Sequence, residues 1–327
     1  MDILNPRSLR QQADRALARG RDPKKLILCY AGISLGLSLL GTFANLWLDD
    51  QISGTGGLGN MGTRAIFSTA QTIIPFVIFL ASLCLDLGYL SGALRISRGQ
   101  YADHTDLKVG LQKFWPLMRL TMLQMLIYLA VAVLSAQIAG IIFSMTPWAA
   151  PLLDALQSLS TADLTALDEA TLMNFMSLMG PMYILLGIVY LIVLIPFLHR
   201  MRMAHYCLLD DPRGRAMASI RSSFRMMRSR FFPMLKIDLS LWLYYAATVL
   251  VTVLMWTDAI LLALGIPLPM DATLFSLLVY LAAVALQFVV QITLRNRVSI
   301  TYALVYEQLR EKPENTGPVV LGNIFDM

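Results

Sequence analysis

Charge is what this sequence has least of. Only 14% of its 327 residues are Asp, Glu, Lys or Arg, against about 25% in an ordinary soluble domain. With 57% hydrophobic residues, a soluble fold of this length would lack the polar surface needed to cover it. Histidine is almost missing. Of the three, His199 and His205 are six apart, about 240° around a helix, which rules them out as a metal pair. Three cysteines (Cys29, Cys84 and Cys207) are an odd number near the ends of apolar runs, so no disulfide framework is expected. No nucleophile–base spacing, zinc-ligand spacing or phosphate loop occurs. The glycines from Gly54 to Gly62 superficially resemble a dinucleotide loop, but the strand and helix that such a loop joins are missing. The expectation is a chain with no catalytic residue, no cofactor and no metal.

What the sequence has in abundance is long apolar runs. About 20 apolar residues cross the hydrocarbon core of a bilayer, and six segments qualify: Leu26–Leu48, Ile66–Leu90, Leu117–Met145, Met179–Leu198, Ile237–Leu262 and Ala272–Leu294. The fold class read from this is an all-α integral membrane protein of six transmembrane helices. A single membrane domain is expected over residues 1–312, with a poorly ordered tail over 313–327. Lysine and arginine crowd one side of these runs, from Arg7 to Lys25, from Arg95 to Lys113, from Arg200 to Lys236 and from Arg295 to Lys312. Arg64 is the lone basic residue of the other side, which carries Asp49, Asp50, Asp154, Asp163, Asp168, Glu169 and Asp271. By the positive-inside rule both termini face the cytoplasm, and the expected location is the inner (cytoplasmic) membrane. The first run is expected to be an uncleaved span, since it is long and lacks a cleavage site.

Shorter patterns fill in the connections. Residues Ser8–Arg19 place Leu9, Ala13, Ala16 and Leu17 on one face, as in a helix lying in the membrane interface. Leu107–Lys113 is a second short amphipathic piece, and Ala216–Arg228 a third. Asp210-Asp211-Pro212-Arg213-Gly214 forms a tight turn. Asp49–Arg64 reads as a flexible external loop. In the connection from Thr146 to Leu178, Pro147 and Pro151 break the backbone and Thr161–Met176 is helical. Gly265–Pro269 is a short external turn.

Two stretches repeat. Lys113-Phe114-Trp115-Pro116-Leu117-Met118-Arg119 matches Arg230-Phe231-Phe232-Pro233-Met234-Leu235-Lys236, and Tyr128 then falls on Tyr245 without a gap. Tyr206-Cys207-Leu208-Leu209-Asp210-Asp211 parallels Tyr302-Ala303-Leu304-Val305-Tyr306-Glu307. The reading is three tandem helical hairpins, each entered from the cytoplasmic side by an interfacial helix, in parallel orientation. The stretch Tyr206–Pro212, with Ala218–Ser223, Met226-Met227-Arg228, Ile237–Trp242 and Tyr302–Glu307, resembles an uncharacterised bacterial integral-membrane family, domain of unknown function 975. Ser229-Arg230 departs from it, where the family tends to have a glycine. The resemblance implies residence in a bacterial membrane and supplies no activity, substrate or site residue.

Ionisable groups at membrane depth are functional candidates. Asp86, Arg119, Lys236 and Asp238 lie just inside their spans, and the expected pairings are Asp86 with Arg119 and Asp238 with a neighbouring arginine. Gln287, Gln291 and Arg295 recur every four residues on one face of the last run, and Gln124 and Gln137 sit in the third and Asn45 in the first. Such amides join helices by hydrogen bonds or line a path. Arg221, Arg225, Arg228 and Arg230 are candidate contacts for anionic lipid. The leading expectation is a protein without catalytic chemistry that organises, senses or protects the bilayer, or serves as a subunit of a membrane assembly. A small-solute or lipid-like transporter is the alternative. Expected partners are membrane lipids, anionic ones included, and a membrane protein or a second copy. Nucleic acid is not expected, because recognition-helix and aromatic context are missing.

Overall fold

The structure, a computed structural model, describes residues 5–19, 23–54, 61–161, 169–257, 260–261 and 272–311. Among them there is no strand. Five helices are long and apolar enough to cross a membrane, and a bent pair makes a sixth span if counted as one. The chain is an all-α polytopic membrane protein.

In chain order the helices are α1 (Pro6–Arg19), α2 (Pro23–Gly54), α3 (Met61–Ser97), α4 (Lys108–Gln112), α5 (Phe114–Ser144), α6 (Ala149–Thr161) and α7 (Glu169–Met201). They continue as α8 (Ala204–Asp210), α9 (Ala216–Met227), α10 (Phe231–Ser240), α11 (Trp242–Met255), α12 (Ala272–Val290) and α13 (Asn296–Glu311). A 3-10 turn, His104–Leu107, precedes α4, and a π turn, Gln291–Arg295, joins α12 to α13.

The chain divides into two compact units. The first comprises Met1–Leu117, His205–Gly214 and Phe232–Met327; the second comprises Met118–Ala204 and Arg215–Phe231.

In the first unit α2 packs along α3, α11 along α12, and α1 and α3 against α13. Helix α1 starts as its sequence dictates. The Asn5 side chain accepts from the backbone N–H of Arg7 at 3.1 Å, and Pro6 occupies the first helical position, where its missing N–H costs nothing. Its apolar face is not left to the membrane interface. Leu9 and Ala13 are fully buried, and Ala13, Ala16 and Leu17 join a core of Leu26, Tyr30, Tyr89, Ala93 and Ile300. Arg297 on α13 pairs with Asp14.

Helix α3 ends at a glycine cap. Gly99, at φ 71°, donates to Ile96 O and Gln100 donates to Arg95 O, the paired bonds of a Schellman stop. The chain then folds back on α3 so closely that side chains are excluded at two points. A Cβ on Gly110 would lie 1.7 Å from the Cys84 carbonyl oxygen, and one on Gly88 would lie 2.3 Å from that of Leu107.

In the second unit α6 packs on α7, with Phe143, Ala149 and Leu152 buried against Met179, Met182 and Leu185. Helix α9 also packs on α7, and Ser223 Oγ donates to Arg200 O at 2.6 Å. Its inner face is Ala216, Ser219, Ile220, Ser223 and Met227.

Four expectations need correction. The fifth span is broken: α10 and α11 meet at 70° at Leu241. No Pro or Gly marks the place. At the break Ser240 Oγ bonds back to Ile237 O at 2.7 Å, the same carbonyl that Leu241 N–H reaches at 3.2 Å. The last span does not stop at Leu294 but runs as one 36-residue helix, Phe275–Arg310. Pro151 does not break the backbone; it sits in the first turn of α6, where proline is tolerated. The external loop at Asp49–Arg64 is shorter than expected, because α2 runs to Gly54 and α3 starts at Met61. Residues 55–60, the turn at 265–269 and the tail over 313–327 lie outside the described residues, as does part of the helix expected over Thr161–Met176, which is described from Glu169 onward.

Candidate functional site

The polar groups of the first unit gather where α3 and α13 carry their arginines. On α3, Asp86 Oδ1 accepts from the Tyr30 hydroxyl of α2 at 2.6 Å and from Arg295 Nη2 of the π turn at 2.7 Å. The Arg295 guanidinium lies over the Tyr30 ring, 4.6 Å from its centroid, and 5.5 Å from that of Tyr89. The two rings are 4.5 Å apart, and the Tyr89 hydroxyl donates to Asn296 Oδ1 at 3.2 Å. A planar guanidinium suits this place because it stacks on rings while bonding a carboxylate at its edge. The cation at Asp86 is therefore Arg295 and not the expected Arg119, which is exposed on α5 in the second unit. Sequence neighbourhood suggested Arg119; the α2–α3–α13 packing decides otherwise.

A second cluster ties the exits of three apolar runs together. Arg98, just past α3, donates from Nη2 to both oxygens of Asp210 at the end of α8, at 2.8 Å. From Nε and Nη2 it also donates to Glu307 Oε1 on α13, at 2.9 and 2.7 Å. Arg310 and the Tyr306 hydroxyl donate to Asp210 Oδ2 at 2.9 and 3.0 Å, and Tyr206 stacks on Tyr306 with centroids 5.4 Å apart. Beside it, Lys113 Nζ donates to the carbonyls of Leu208, Leu209 and Asp211 at 3.0, 2.7 and 3.3 Å, capping the C-terminal end of α8. Burial pushes the Lys113 ammonium down from its ordinary value, and Asp211 and Asp210 oppose the shift. Under α3, Arg95 pairs with the buried Asp106, which accepts from Asp103 N–H at 3.0 Å. Asp103 in turn accepts from His104 N–H at 2.7 Å, completing a capping box for the turn.

The remaining candidates fall elsewhere. Asp238, half-buried on α10, accepts from the Tyr302 hydroxyl of α13, whose oxygen accepts from Tyr245 on α11 at 2.6 Å. Lys236 is exposed on α10. Gln287 and Gln291 come together with Ser34 and Ser38 of α2 around a small recess that has room for about one water molecule. In the second unit Gln124 is buried in α5. Arg221, Arg225 and Arg228 are exposed along the outer face of α9, and Arg230 just beyond it is half-buried.

These ionised groups of the first unit neutralise one another across helices, an arrangement that fastens elements together. Among the described residues no group of three His, Cys, Asp or Glu is placed to hold a metal. Sequence reasoning missed Tyr30, Tyr89, Arg98, Lys113, Asp210, Tyr302 and Glu307 as parts of these clusters. One signal was available: on α2 the polar residues fall four apart, beginning at Tyr30. No family model, curated protein or solved structure matches the chain.

Proposed function

We propose that this chain is a non-catalytic membrane protein that organises the bilayer at its cytoplasmic surface by holding anionic lipid headgroups along α9. One observation carries this reading. Arg221, Arg225 and Arg228 occupy positions i, i+4 and i+7, one face of a helix, and none has a side-chain hydrogen bond or ion pair to protein among the described residues. The opposite face of α9 is already buried, which holds the row outward. Anionic lipid attracts such residues by about 1 kcal/mol each.

The tandem organisation belongs to the same proposal. It is supported by Arg98, which joins the ends of the second, fourth and sixth apolar runs, and by the stacking of Tyr206 on Tyr306.

The test is lipid selectivity after reconstitution into vesicles of mixed phosphatidylglycerol and phosphatidylcholine, with the retained lipid identified after re-extraction. The intact protein retains phosphatidylglycerol preferentially. The combined Arg221→Gln, Arg225→Gln, Arg228→Gln variant loses that preference while keeping its helical content. Equal retention of both lipids by the intact protein would sink the proposal.

A further inference from the structure

Helix α2 carries Tyr30, Ser34, Ser38, Thr42, Asn45 and Asp49, which are the hydroxyl, amide and carboxyl side chains met on one side of the helix between its two ends. At 100° per residue they fall within a sector of about 120°. The row is about 28 Å long at 1.5 Å per residue, close to the ~30 Å hydrocarbon core. Helix α12 answers it with Tyr280 and Gln287, and the π turn with Gln291.

The row meets α3 at both ends and α12 with the π turn between them. At one end Tyr30 and Arg295 meet on Asp86. Next comes the recess of Ser34, Ser38, Gln287 and Gln291. Beyond it the Thr42 hydroxyl donates to Ser38 O at 3.1 Å and accepts from Tyr280. The Asn45 Oδ1 that follows is buried with no hydrogen-bond partner. At the far end Asp49 accepts from Gln71 Nε2 at 2.6 Å.

Amides that merely join helices bond to one another or to a backbone carbonyl. These do not. Gln291 is only 8% exposed, and neither it nor Gln287 has a protein hydrogen bond among the described residues. An amide left dry in hydrocarbon costs several kcal/mol, so water in the recess is the partner left for the two glutamines. The row between Tyr30 and Asp49 holds no carboxylate or amine to compensate an ion, and at one end the guanidinium of Arg295 is already neutralised by Asp86, so a charged solute would find no counter-charge along it.

We propose that the seam between α2 and α12 conducts water, and uncharged hydrogen-bonding solutes of its size, across the membrane while excluding protons. The proposal is independent of lipid binding on α9, since every residue it uses lies in the first unit.

The experiment is stopped-flow light scattering of proteoliposomes under an osmotic gradient, with water itself as the permeant. The full chain should shrink vesicles several-fold faster than protein-free vesicles do. In a parallel assay with an internal pH dye and a potassium diffusion potential, proton entry should match the protein-free rate. Gln287→Leu with Gln291→Leu should return water permeability to the protein-free value. A Ser38→Cys variant in a background lacking Cys29, Cys84 and Cys207 should react with a water-soluble thiosulfonate and lose permeability, whereas Leu40→Cys, on the outward face, should do neither. Water permeability of the intact protein equal to that of protein-free vesicles overturns the proposal, and so does proton entry above that baseline. Folding failure of the leucine variants cannot rescue it, because both of those comparisons use the intact chain and the cysteine pair reports on accessibility directly.

Discussion

The two units treat similar material differently. In the first, two glycines mark places where backbones touch: a side chain at Gly110 or Gly88 would run into a carbonyl of a neighbouring segment, although Gly32 and Gly36 stand in open space. In the second, Gly140, Gly180 and Gly187 have nothing within 4 Å of where a Cβ would stand. The first unit closes its charges on one another through Asp86, Arg98 and Asp106. The second leaves the Arg221 row facing outward. Amphipathic period alone does not separate these cases. Helices α1 and α9 share the pattern of a basic helix with one apolar face, yet α1 carries an ion pair to another helix through Asp14 and α9 offers bare arginines. A helix's polar face is decided by what the chain brings opposite it.

The sharpest way to break the comparison is to add a methyl group to each unit. Gly110→Ala should cost on the order of 3 kcal/mol or more, because the obstacle is backbone that cannot swing aside. Gly140→Ala should be neutral or stabilise by about 0.5–1 kcal/mol, since it removes only backbone freedom. Thermal unfolding in detergent, followed by tryptophan fluorescence, reads both, and equal effects would erase the distinction.

Charge removal comes next. Arg295→Leu should destabilise by about 1–2 kcal/mol, below the range for a fully buried pair because Asp86 is partly solvated. A compensating Asp86→Leu should recover part of the loss in a double-mutant cycle. Arg225→Leu in the second unit should shift unfolding by less than about 0.5 kcal/mol. Lys113→Met should cost about 1–2 kcal/mol, since it strands three carbonyls at the end of α8; protease sensitivity around residues 204–214 would report it.

The smallest effect is one of pH. Backbone and side-chain hydrogen bonds from His104 hold the Asp103 carboxyl below the usual carboxylate range. A depressed carboxylate contributes stability that is present above its unfolded value and lost as pH falls through its folded one. Hydrogen exchange over residues 104–107 should therefore accelerate as the solution is acidified below the ordinary carboxylate range, and Asp103→Asn should flatten that dependence.

Much of the fold could be read from the residues alone. Apolar runs placed the membrane-length helices, period placed α1, α4 and α9 close to their observed ends, and Asp211-Pro212-Arg213-Gly214 does turn, with Arg213 N–H bonded to Asp211 Oδ1 at 2.9 Å. The break at Leu241 was hidden because no Pro or Gly marks it and the apolar run continues across it. The site was half legible. Asp86, Arg295, Gln287 and Gln291 stood out as polar residues in apolar surroundings. Their partners did not, because Tyr30 and Tyr89 look like ordinary aromatic packing until an arginine from 200 residues away is laid across them.

The π turn at Gln291–Arg295 makes the last helix a two-part shaft whose halves are set out of phase by one inserted residue. Winding the same residues there as regular α-helix would swing everything beyond it by about 100°. Arg295, Arg297, Tyr302 and Glu307 would all leave their partners in the same movement, although none of them had been replaced. That segment therefore works as the timing mark of the whole assembly, and its length matters more than the identity of any side chain in it.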